Sequence, residues 1–161
     1  MQLGPSDDYR VYVNRANLTL DVLYSDSITG RPRDSWDRPA SYMMLIKEGS
    51  FATFFSKNEM PTDTNAIVAT LTATSDSLDN VSYCYTYDLS AMLTQQLRTS
   101  EKVDSLHFML VPVAVSANSA TGAISSVKQL QTISATYIRS ANNPIDPMDI
   151  EFVYSGFSKM H

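Results

Sequence analysis

Few side chains in this 161-residue chain have the type and spacing that chemistry demands. The two histidines, His107 and His161, are far apart in sequence, and neither stands with a nucleophile and an orienting acid as a hydrolytic triad requires. His107 lies in an apolar run, in phase with Ser105 and out of phase with Leu106, Phe108 and Leu110, the position of a solvent-facing strand residue. Cys84 is the single cysteine, so no intrachain disulfide can form. It alternates with Tyr83, Tyr85 and Tyr87 and has no basic neighbour to lower its pKa, which describes an inert thiol used as a small core hydrophobe. Paired carboxylates occur at Asp7-Asp8 and among Asp146, Asp149 and Glu151, the raw material of glycoside hydrolysis or calcium binding. Carboxylates beside prolines more often shape turns or face water, and these are read that way. No HxxxH or CxxC spacing exists, and 5 dispersed glycines build no phosphate loop. No catalytic residue, metal or cofactor is therefore expected.

One segment could support binding. The only tryptophan, Trp36, sits in RPRDSWDRP, residues 31–39, with Arg33 and Arg38 among its charged neighbours. An exposed indole flanked by hydrogen-bonding side chains could stack on a sugar ring or anchor a protein partner. Folded inward, the same indole would cap one end of the core, and that is the favoured reading because the segment feeds an apolar strand.

These residues must be positioned by elements that read mainly as strands. Residues 10–24 alternate Val11 and Val13, then change phase so that Leu18, Leu20 and Val22 share a face, which predicts a β-bulge or bend at Asn14-Arg15. A loop over 25–40 follows, then Tyr42 to Ile46, apolar on both faces and so a central strand covered on both sides. Phe51, Phe54 and Phe55 behind Ser50 predict a helical turn. Strands are expected over 66–73, 83–87, 105–116, 129–138 and 150–154, with Pro112 placing that part of its strand at an edge or bulge. Asp88-Leu89-Ser90 predicts the start of a short amphipathic helix, Ala91 to Arg98, packed by Leu93 and Leu97. Ile150, Phe152 and Tyr154 alternate with Glu151 and Val153 and are expected to close one sheet against the other. The sum is an all-β fold, an antiparallel jelly-roll-like β-sandwich with one short helix, forming a single domain over residues 1–161.

Composition limits the partners. Hydrophobic residues make up 43% of the chain and charged residues only 18%, so hydroxyl and amide side chains must supply much of the polar surface. A net charge of −5, with no basic run or stripe, argues against nucleic acid as a partner. No stretch approaches the ~20 apolar residues of a membrane span, and the first residues lack the pattern of a signal peptide.

Several segments together resemble a known family. These are Asn14 to Val22 (NRANLTLDV), Phe54 to Pro61 (FFSKNEMP), the Asp88-Leu-Ser helix start, His107 to Val113 (HFMLVPV), and Arg139 to Pro144 (RSANNP) running into Ile150 to Phe157 (IEFVYSGF). They are similar to the C-terminal half of the Bacteroidetes outer-membrane lipoproteins known as domain of unknown function 4270. The strand order is also similar to carbohydrate-binding-type jelly rolls used as stalks. The resemblance supplies no catalytic residues. It implies an exported parent, at the outer membrane or cell surface, held by a lipid anchor outside this chain. Three tripeptides, Asp26-Ser27-Ile28, Asp76-Ser77-Leu78 and Asp104-Ser105-Leu106, look like the O-glycosylation sequon of exported proteins from that group. The expected function is a non-enzymatic structural or interaction module, with a glycan or another surface protein as its partner. The alternative is a carbohydrate-binding module using an exposed aromatic loop around Trp36.

Overall fold

The computed structural model describes residues 9–23, 39–75, 77, 81–99, 106–131, 136–142 and 148–158. In chain order its elements are β1 (Tyr9–Val22), β2 (Tyr42–Lys47), a 3-10 turn (Glu48–Ser50), α1 (Phe51–Ser56), β3 (Ala66–Thr70), β4 (Thr72–Ser75), β5 (Val81–Asp88), α2 (Ser90–Thr99), β6 (Phe108–Ala117), β7 (Ile124–Gln129) and β8 (Asp149–Ser158). They form two four-stranded sheets, ordered β4-β5-β1-β8 and β3-β2-β6-β7, with every pairing antiparallel. The fold is an all-β sandwich, as the period-two patterning predicts.

The phase change in β1 is real. Its register against β8 shifts between Val13 and Arg15, leaving Asn14 as the extra residue and returning Ala16, Leu18, Leu20 and Val22 to the interior. β2 is apolar on both faces because both are covered. Met43 and Leu45 face the sandwich interior with Leu18, Leu20, Tyr85, Tyr87 and Ala69. Met44 and Ile46 face outward, where they pack with Val111, Val113, Ala66 and the buried Phe54 of α1. α1 is held in place by its aromatic rings, with Phe54 and Phe51 each set edge-to-face on Phe55. Ser50 occupies the N-cap position of α1 without a capping side-chain bond; its carbonyl instead accepts from the Thr53 hydroxyl.

Two buried phenols tie the sheets together. Tyr87 of β5 crosses the interior and donates to the Met43 carbonyl of β2 at 3.2 Å, and Tyr85 donates to the carbonyl of Ala40, just before β2. Both side chains are fully buried, and burial pushes their pKa values up, to about 12 for Tyr85 and higher for Tyr87.

α2 begins one residue earlier and ends one later than Ala91 to Arg98. Leu93 and Leu97 pack against the core, but the deepest contacts of this segment come from Leu89 and Met92. The Asp88 carboxylate accepts from the Ser90 amide at 2.9 Å. Hydrogen bonds from the Ser90 hydroxyl and amide hold its pKa below the usual carboxylate range. That contribution is present above the ordinary carboxylate pKa and fades as the pH falls through it. Ser90 does a second job: its Oγ accepts from the buried Ala16 amide at 2.9 Å, beside the Leu89 amide's bond to the Ala16 carbonyl. The β1 bulge is thereby tied to the helix start. Ser90→Ala leaves the Ala16 amide without its acceptor and is expected to lower stability by about 1–3 kcal/mol, read as a shifted urea midpoint at unchanged slope. An unshifted midpoint would show that water replaces the hydroxyl.

Three expectations about the strands need correction. Residues 66–73 are not one strand: β3 lies in one sheet and β4 in the other, and the chain changes sheet at Leu71, whose amide donates to the Ser41 carbonyl. The strand expected over 129–138 is replaced by β7, which ends at Gln129; farther along, Ile138 makes only an isolated bridge to Val22, and residues 132–135 lie outside the described set. The turn before β7 sets its register: Asn118 Oδ1 accepts from the amides of Ala120 and Thr121, and Gly122 takes the positive φ of 70° that favours glycine. Pro112 does sit where β6 is locally an edge: residues 108–112 pair with β2 alone, and residues 113–117 pair with β7. Its carbonyl accepts from the Leu130 amide one residue beyond the end of β7, so its missing donor falls where that ladder has already stopped. Finally, β8 does not close the sandwich, a point that concerns the site.

Candidate functional site

Trp36, Arg33 and Arg38 lie outside the described residues, as do Asp7, Asp8, Asp146 and His161. The described end of the Trp36 segment is well held. Pro39 is half-buried, and the buried Ala40 donates its amide to Thr136 Oγ1 at 3.2 Å while its carbonyl accepts from Tyr85. Of the three sequon-like tripeptides only Ser77, exposed between β4 and β5, and the half-buried Leu106 are described.

The other residues singled out for chemistry are not brought together. His107 is exposed but precedes β6 instead of lying within a strand, and its carbonyl accepts from the Glu48 amide. Cys84 is half-buried and points away from the interior, since Tyr85 and Tyr87 occupy the inward face of β5; it is therefore not a core hydrophobe. In register it stands between Thr72 and Asp21 on the outer face of the first sheet. Glu151, on the same face, pairs with Arg15 at 3.2 Å, and Asp21 with Arg139 at 3.6 Å. The first is an exposed pair between strands, which contributes about 0–1 kcal/mol; the second joins β1 to the segment after the Ile138 bridge, with the Arg139 side chain half-buried. Among the described residues no group of three His, Cys, Asp or Glu is arranged to hold a metal ion.

What the structure does present is an apolar strip. Directly opposed residues of an antiparallel pair share a face. Tyr154, Phe152 and Ile150 of β8 oppose Val13, Ala16 and Leu18 of β1, so all six face inward. The β1 members are buried, yet Ile150, Phe152 and Tyr154 are 55%, 40% and 47% exposed. The strand orders explain the difference. β8 is the edge of the first sheet, one place beyond β1, and the second sheet seats its tightly packed strands, β2 and β3, under β1 and β5. Along β6, Leu110 faces inward opposite Leu45 and is itself 38% exposed. The two sheets thus cover each other on one flank and leave apolar inner faces open on the other.

The strip is organised. The Phe152 and Tyr154 rings lie 5.6 Å apart, and the outward face of β8 carries Val153, also exposed, and the Arg15-paired Glu151. Among the described residues β8 pairs only with β1, so its far backbone edge offers donors and acceptors to no strand. The edge strand carries neither lysine nor proline between Asp149 and Ser158, the usual devices that discourage strand addition. The sequence contained the alternation that makes this strip, but the register that reveals its uncovered side was not readable from it. No helix among the described residues is long and apolar enough to cross a membrane. No family model, curated protein or solved structure matches the chain.

Proposed function

We propose that this domain is a non-enzymatic interaction module that engages a protein partner along β8. The observation that supports this reading is the exposure of Ile150, Phe152 and Tyr154 on an inward-facing strip whose β1 neighbours are buried. An open backbone edge beside alternating apolar side chains suits an extended partner segment, which can add main-chain hydrogen bonds and seat every second side chain. The resemblance to the C-terminal half of the domain of unknown function 4270 lipoproteins supports placing the module in an exported, lipid-anchored parent at the outer membrane or cell surface.

The test uses a photo-reactive amino acid at position 152 or 154 in the producing cell, with position 81 as a control because Val81, on another strand, is more exposed than either. The expected result is a defined protein crosslinked at 152 and 154 and not at 81. That protein, once purified, should bind the domain, and Phe152→Ser should weaken the binding tenfold or more. Because Phe152 is 40% exposed, the same substitution should cost less than about 1.5 kcal/mol of stability. Equal crosslinking at all three positions, or unchanged binding by a folded Phe152→Ser variant, would reject the β8 surface.

A further inference from the structure

We draw no further inference here: the strongest candidate, the far edge of β8 beside the Ile150, Phe152 and Tyr154 strip, belongs to the surface already described, and nothing in the structure shows which strand or partner segment covers it.

Discussion

Tyr87→Ala should lower the unfolding free energy by about 3–5 kcal/mol, a large share of the 5–15 kcal/mol typical of a domain. Tyr87 is fully buried between the sheets, so the truncation opens a cavity in the core cluster it shares with Met43 and with its cross-strand neighbour Leu18, and also leaves the Met43 carbonyl without its cross-sheet donor. The two losses can be separated. Tyr87→Phe keeps the ring and removes only the hydroxyl, and should cost about 1–3 kcal/mol, the penalty of one buried acceptor left unmet. Urea melts of both variants provide the check. A phenylalanine variant as unstable as the alanine one would mean that the hydroxyl, and not the packing, dominates.

The same phenols should set the alkaline limit of the fold. Unfolded tyrosine ionises near pH ~10, whereas burial raises Tyr85 to about 12 and Tyr87 further still. Below the unfolded pKa both states keep their protons, and the contribution of these groups is fully present. As the pH rises beyond it the unfolded chain sheds protons that the folded chain retains, and stability falls by about 1.4 kcal/mol per pH unit for each buried tyrosine. Both together remove on the order of 5 kcal/mol by pH ~12. The Tyr85 and Tyr87 share of the tyrosinate absorbance should therefore appear only as circular dichroism reports unfolding. Complete ionisation before any change in the dichroism would contradict the cross-sheet ties. Tyr85→Phe and Tyr87→Phe combined should move the alkaline midpoint upward relative to the neutral-pH stability of the same variant.

Much of the sandwich is legible in the residues, and the parts that are not share a cause. Alternation reports which face of a strand is apolar, so the bulge in β1, the doubly covered β2 and the helical turns follow from it directly. It does not report what lies across from that face. Ile150, Phe152 and Tyr154 read as interior residues, and they do face inward, but the opposing sheet does not extend over them. The break at Leu71 escapes for a similar reason. No glycine or proline marks it, because the chain changes sheet without a tight turn, leaving Ala69 in the core and Thr72 on an exposed edge strand. β7 was hidden by its composition, since Ser125, Ser126, Lys128 and Gln129 give a weak apolar period while a turn held by Asn118 imposes the pairing. Ser90 was read as part of a helix start, yet its bond to Ala16 spans 74 residues and has no local signature. As for binding, the one segment singled out, Trp36 with Arg33 and Arg38, lies outside the described residues, and the surface favoured here rests on register and exposure together.

The neighbouring placement of the first and last strands has a mechanical consequence. Tyr9 is opposite Ser158, so the outer ends of β1 and β8 meet at the same end of their ladder. A pull between the chain before Tyr9 and the chain after Ser158 acts across the rungs and opens them one at a time, starting from that pair. The same ladder loaded lengthwise would have to break its rungs together. Tension applied through both ends would thus peel β8 from β1 at low force, and the peeling would first reach a discontinuity at the Asn14 bulge, where the register shifts. A tether on one side only carries no such load, and a partner strand seated on the far edge of β8 would have to be stripped along with it.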